Sequence, residues 1–156
     1  MRRFPLSILA VLLALCSTFA SAQSSGPADL QPGSALLLNP EDLVQLLQSP
    51  SGQKPLILNV GPSILYMQAH IPGAEYIGAT SDKQGLERLK TRVKSLARSQ
   101  SIVLYCGCCP WNHCPNVRPA YNGLHAMGFT NVKVLYIADN FGTDWVDKGY
   151  PTIKGQ

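Results

Sequence analysis

Apolar positions along the chain form short continuous runs that alternate with stripes at helical spacing. Leu56-Ile57-Leu58-Asn59-Val60 and Ile102-Val103-Leu104-Tyr105 are nearly unbroken, the pattern of strands buried on both faces. Val132 to Ile137 predicts another strand, Glu75 to Ile77 a short one, and Ala35 to Leu38 an edge strand. Asn39-Pro40-Glu41-Asp42 has the chemistry of a helix start, with Asn as cap, Pro in the first turn and acids at the positive end. Leu43, Leu46 and Leu47 supply that helix's apolar stripe, and Ser49 to Lys54 breaks it. Ser63 to Ala69 predicts a short helix, and His70 to Ala74 a turn in which His70 packs or hydrogen-bonds. Ser81-Asp82 caps a long helix through Ala97, with Leu86, Leu89, Val93 and Leu96 inward and its Lys and Arg residues forming a solvated face. A helix starting near Arg118 runs through Met127 to a glycine stop at Gly128. A last helix is expected between Asp139 and Lys148, with Trp145 and Val146 facing the core. Strands separated by helices predict an α/β fold: a central parallel β-sheet with helices on both faces.

The first residues do not fit this pattern. Arg2 and Arg3 precede a long apolar run from Leu6 to Leu15, and Ala20-Ser21-Ala22 is a small-residue cleavage site. Residues 1–22 are therefore read as a secretory signal peptide cut after Ala22, too short and wrongly flanked for a stable membrane span. Cys16 follows Leu15, a poor fit to a lipidation box. Residues 23–34, rich in Ser, Gly, Pro and Gln, read as a flexible leader, and residues 35–155 as one domain. A cleaved signal places the mature chain in a periplasm or outside the cell, where thiols tend to pair.

Charge adds little. The 156 residues carry a net charge of +4. Loss of Arg2 and Arg3 leaves eleven basic residues against nine acidic ones. No basic stripe with interleaved aromatics is present, so no nucleic-acid partner is expected. Cysteine changes the picture more. Of five cysteines, four lie between the strand ending at Tyr105 and the helix that follows: Cys106, Cys108, Cys109 and Cys114. Sulfurs gathered at a strand-to-helix junction point to chemistry, because a buried structural cysteine does not need company.

Three segments together resemble the rhodanese-like domain family. Leu56-Ile57-Leu58-Asn59-Val60 followed by Ala69-His70-Ile71-Pro72-Gly73-Ala74 is similar to the family's N-terminal signature. Ile102-Val103-Leu104-Tyr105-Cys106 is similar to the strand that delivers its active-site cysteine. Leu124, Gly128 to Val132, Trp145 and Lys148-Gly149-Tyr150-Pro151 resemble its C-terminal part. The resemblance implies a single α/β domain with a sulfurtransferase activity. Its cysteine takes a sulfane sulfur as a persulfide from a small sulfur-containing anion such as thiosulfate and passes it to cyanide or a thiol. Only Cys106 carries over directly as that nucleophile. No cofactor is required, and no protein partner is implied.

The chain also departs from the family. Asn59-Val60-Gly61 stands where Asp-Val-Arg is usual, and Ala138-Asp139 where a Gly-Gly pair is common. The active-site loop is longer by about five residues and holds Cys108, Cys109, Trp111, His113 and Cys114. Gly107, Trp111 and Arg118 are the expected substrate-binding positions. Arg118 would supply a fixed cation for an oxyanion-bearing donor, and Trp111 would either lid the sulfur site or anchor the loop.

Three uses of the extra sulfurs stay open. Cys108 or Cys109 can pair with Cys114 as a structural disulfide, whereas a bridge between adjacent Cys108 and Cys109 would be strained. A neighbouring thiol can resolve a persulfide on Cys106 as part of a redox relay. Alternatively Cys108, Cys109, His113 and Cys114, with or without Cys106, can bind Cu(I) or Zn(II), although their spacing matches no standard zinc pair.

Overall fold

A computed structural model describes residues 30–50 and 53–155. The expected signal peptide, most of the expected leader and part of the break after the first helix lie outside the described residues. Among the described residues, no helix is long and apolar enough to cross a membrane.

Five parallel strands form one sheet: β1 (Leu37–Leu38), β2 (Leu56–Asn59), β3 (Glu75–Tyr76), β4 (Ile102–Tyr105) and β5 (Val132–Leu135), in the spatial order β1-β5-β4-β2-β3. The all-parallel α/β architecture agrees with the expectation. β4 is central, and every one of its residues is buried.

Strand alternation builds two cores. Leu58, Ile102, Leu104 and Val134 point to one face, against Leu89 and Val93 of α3 (Lys83–Val93) and Ala120, Tyr121 and Leu124 of α4 (Val117–Ala126). Ile57, Val103, Tyr105 and Leu135 point to the other, against Leu43 of α1 (Pro40–Gln48) and Tyr66 of α2 (Ser63–Gln68). Trp145 completes this second core, fully buried, with its indole N–H donating to the Pro151 carbonyl at 2.9 Å. His70 is buried in its turn as expected. Its ring stacks on Tyr66, with centroids 3.8 Å apart, and Nδ1 pairs with the Tyr66 carbonyl at 2.8 Å.

Several boundaries differ from the sequence reading. The long helix stops at Val93, where the Lys94 N–H bonds back to the Thr91 carbonyl and tightens the last turn. Its start is as expected: Asp82 caps it by accepting from the Gly85 N–H at 2.6 Å. The last helix is a single wide turn, Gly142–Val146, closed by the Asp147 N–H on the Gly142 carbonyl at 2.8 Å. That wide turn sends Val146 outward rather than into the core. Packing also begins earlier than expected, because Leu30, placed in the leader by its composition, is buried in the first core.

Candidate functional site

Parallel sheets present ligand sites at the carboxyl ends of their strands, and the cysteine loop leaves the sheet there. β4 delivers Cys106 immediately past Tyr105, and Cys106 remains 4% exposed. The Val60 N–H bonds the Tyr105 carbonyl, so β2 stays paired to β4 up to the site. The next residue, Gly61, lies directly against the sulfur: a Cβ there would sit 3.1 Å from Cys106 Sγ. Asn59 Oδ1 accepts from the Gly61 N–H at 3.1 Å and fixes this turn. Gly107 has φ +72°, and a Cβ on it would come within 2.6 Å of the Phe141 Cβ, so glycine is required by both conformation and space. The Phe141 N–H donates to the Gly107 carbonyl at 3.0 Å, locking the loop to the segment after β5.

From this base the loop folds back on itself. Cys106 Sγ and Cys108 Sγ are 3.3 Å apart, and Cys108 Sγ and Cys109 Sγ 2.9 Å apart. The Cys106, Cys108 and Cys114 sulfurs all lie within 4.8 Å of one another. All four loop cysteines are free thiols. Trp111 anchors the loop. Its backbone N–H bonds the Ala138 carbonyl at 2.9 Å, its indole N–H bonds the Leu30 carbonyl at 3.1 Å, and its ring meets Tyr136 edge-on.

Asn116 ties the cluster to the rest of the domain. It is 2% exposed, and Nδ2 reaches Cys106 Sγ at 3.4 Å and, more weakly, Cys108 Sγ at 3.9 Å. Its Oδ1 accepts from the Ser81 N–H at 3.0 Å, and its carbonyl accepts from the Thr80 hydroxyl at 2.6 Å. Sequence reasoning missed this residue. An asparagine just ahead of a helix has the signature of an N-cap, yet its side chain makes no cap bond and turns to the sulfurs instead.

The thiols are electrostatically unequal. The neighbouring Cys106 thiol and the backbone N–H groups of Asn116 and Val117 hold Cys114 down to about 6, while burial pushes the other way. Cys106 is pushed strongly up by Cys114 beside it and by burial. Burial and the adjacent Cys108 push Cys109 up to about 12. Negative charge in the cluster is thus favoured on Cys114, just ahead of α4, over Cys106 and Cys109.

Two openings flank the sulfurs. On one side a cavity of about 730 Å³ is lined by Gly107, Cys108, Cys109, Phe141 and the outward Val146, among others. On the other, a cleft of about 40 Å³ is formed by Leu30, Trp111, Cys114, Val117 and Arg118. The expected substrate-binding residues are therefore divided, Gly107 facing the larger cavity and Trp111 and Arg118 the narrow cleft. The expected metal set is also rearranged. Among the described residues, the three sulfurs close enough to share one soft ion belong to Cys106, Cys108 and Cys114. His113 is exposed in the short turn Trp111–His113, and Cys109 makes only a weak 3.5 Å contact to its carbonyl.

The geometry agrees with comparisons to known proteins. The family model of the rhodanese-like domain matches residues 39–136. Among solved structures, the Alr3790 protein of Anabaena sp. superposes with a TM-score of 0.57 at 23% identity, over 76% of this chain and 92% of that one. The BH2092 protein of Bacillus halodurans gives 0.57 at 20% identity, over 75% of each chain. A thiosulfate sulfurtransferase of Pseudomonas aeruginosa gives 0.56 at 25% identity, over 78% of this chain but only 20% of that one. No curated protein matches the chain. A parallel five-stranded sheet that delivers a cysteine from its central strand, and a family match spanning most of the folded region, lead to one assignment: the chain belongs to the rhodanese-like domain family.

Proposed function

We propose that this protein is a sulfurtransferase-type enzyme that handles sulfane sulfur through a persulfide on Cys106. The observation that carries the reading is the bed built around that sulfur at the end of β4: Gly61 against it, and the buried Asn116 amide donating to it. Persulfide anions need hydrogen-bond donors and exclusion of water, and this position offers both. With thiosulfate as donor, the Cys106 thiol gives up its proton to water as its sulfur attacks the outer sulfur, a Cys106 S–S bond forms, and the bond to the sulfonate breaks to release sulfite. The similarity to a thiosulfate sulfurtransferase supports the donor class. Arg118 beside the narrow cleft suits the anion. No cofactor enters this chemistry. A small sulfur-containing anion and a thiol acceptor are its partners, acting in the periplasm or outside the cell after signal cleavage.

The test is thiocyanate production from thiosulfate and cyanide by the reduced protein. Activity in the native chain that disappears in Cys106→Ser, with the fold retained by circular dichroism, is the expected outcome. Undiminished turnover by Cys106→Ser overturns the assignment. A second reading follows from the convergence of three sulfurs, which also suits Cu(I) or Zn(II). A stoichiometric ion in the purified protein, together with no sulfur transfer, selects that reading.

A further inference from the structure

The loop holds more sulfur than persulfide transfer requires. A cysteine that only loads and unloads one sulfur needs a donor, an acceptor and an anion-stabilising bed. Here a second sulfur, on Cys114, lies within 4.8 Å of Cys106. The two reach that position from opposite ends of the loop, Cys106 from the end of β4 and Cys114 from just ahead of α4. Cys114 leads directly into α4, whose first backbone N–H groups, at Asn116 and Val117, favour its anion. Cys108 is also near Cys106, but it belongs to the wall of the larger cavity and is only two residues away in sequence.

We infer that Cys114 is a resolving cysteine: its thiolate attacks the inner sulfur of the Cys106 persulfide, forms a Cys106–Cys114 disulfide and expels the outer sulfur as hydrosulfide. This inference rests on the persulfide reading above. The step balances. The Cys114–Cys106 S–S bond forms as the Cys106–outer sulfur bond breaks, and the departing sulfur takes the electron pair and a proton from water to leave as hydrosulfide. The sulfane sulfur is reduced by two electrons, and the two cysteine sulfurs are oxidised together to a disulfide. The cycle then needs an external dithiol reductant, which is itself oxidised to a disulfide as it returns Cys106 and Cys114 to thiols. The protein is accordingly a dithiol-coupled, sulfide-releasing enzyme, and the acceptor of its electrons is the sulfane sulfur.

The helix end serves this step directly. An attacking thiolate must be present at neutral pH and aimed along the bond that breaks. The backbone N–H groups of Asn116 and Val117 favour the Cys114 anion, and the loop, anchored by Trp111 on the Ala138 and Leu30 carbonyls, holds Cys114 close to Cys106.

The test treats the fully reduced protein with one equivalent of thiosulfate, without cyanide or added thiol, and follows sulfite, sulfide and intact mass. The native chain should release one sulfide per sulfite and end two hydrogens lighter, with a Cys106–Cys114 link on peptide mapping. Cys114→Ser should release sulfite, retain the sulfur as a stable mass gain, and yield sulfide only when dithiothreitol is added. Cys108→Ser should still form the Cys106–Cys114 link and release sulfide, whatever its rate. If the native chain holds a stable persulfide and forms no disulfide, the resolving step is wrong while the persulfide reading survives. If Cys108→Ser loses sulfide release and Cys114→Ser keeps it, the resolving residue is Cys108 and the inference is overturned. If neither sulfite nor a mass gain forms in the native chain or in Cys114→Ser, the persulfide reading fails and takes this inference with it.

Discussion

Asn116→Asp separates chemistry from folding at this site. The substitution keeps the side chain's shape and leaves an oxygen to accept from the Ser81 N–H at 3.0 Å, so the contacts that hold the loop to the domain persist. It replaces the amide that donates to Cys106 Sγ at 3.4 Å with an anionic oxygen. The bare Coulomb repulsion between that oxygen and a Cys106 thiolate at this distance is about 5 kcal/mol at an effective dielectric of about 20. The lost hydrogen bond to a charged group is worth about 2 kcal/mol in the same direction. Solvent relaxation and partial protonation of the new carboxyl offset part of this, leaving about 3 kcal/mol against the thiolate, or about a hundredfold. The assay is the rate of Cys106 alkylation by iodoacetamide as a function of pH, located by peptide mapping, so it does not depend on the natural substrate. The expected result is a fall of about a hundredfold at neutral pH, in line with that energy, with a thermal midpoint close to that of the native chain. Asn116→Leu serves as the control that loses both the sulfur contact and the Ser81 contact. An Asn116→Asp rate within about threefold of the native rate, less than 1 kcal/mol by the same conversion, refutes the claim that this amide supports the sulfur anion.

Two further predictions concern the surroundings of the site. Gly61→Ala places a Cβ 3.1 Å from Cys106 Sγ and 3.2 Å from its carbonyl oxygen, and should cost about 1–3 kcal/mol in urea denaturation. Gly61→Arg, with the arginine usual in the family, should cost more, and equal stability of that variant contradicts the view that Gly61 makes room for the sulfur. Arg92 grips Glu75 through two hydrogen bonds, of 2.5 and 2.7 Å, and holds that carboxyl below its ordinary value of 4.5. A depressed carboxyl contributes stability above its unfolded value and loses it as pH falls through the folded one. Arg92→Ala should therefore destabilise at neutral pH and flatten the acid limb of a Tm–pH profile; an unchanged limb contradicts this pairing.

The fold was legible because its signals are local. Ile102 to Tyr105 reads as a fully buried strand, and it is the central one. Asp82 reads as a cap and acts as one. The failures have physical causes. Leu30 reads as leader because Ser, Gly and Pro surround it, whereas its place in the first core, with its carbonyl bonded to the Trp111 indole 81 positions away, is a tertiary fact. Val146 was assigned inward on ordinary helical spacing, and the wide turn at Gly142–Val146 breaks that spacing.

At the site, the sequence singles out Cys106 among the four cysteines but not the electrostatic distinction of Cys114. The depression of Cys114 arises from where α4 begins and from its approach to Cys106, both tertiary facts. Asn59 and Gly61 stand where the family usually has Asp and Arg. In the structure they form one coherent replacement: the neutral, buried Asn59 accepts from the Gly61 N–H, so this turn is held without a buried charge.

The most direct measurement of the account follows the outer sulfur of thiosulfate itself. Thiosulfate labelled at that atom is mixed with the reduced native chain and with Cys106→Ser, and label bound to protein is counted together with label released as sulfide. The account predicts that the two pools sum to one labelled sulfur per native chain and that both are absent with Cys106→Ser. Label that remains in thiosulfate with the native chain, or moves equally with Cys106→Ser, contradicts it.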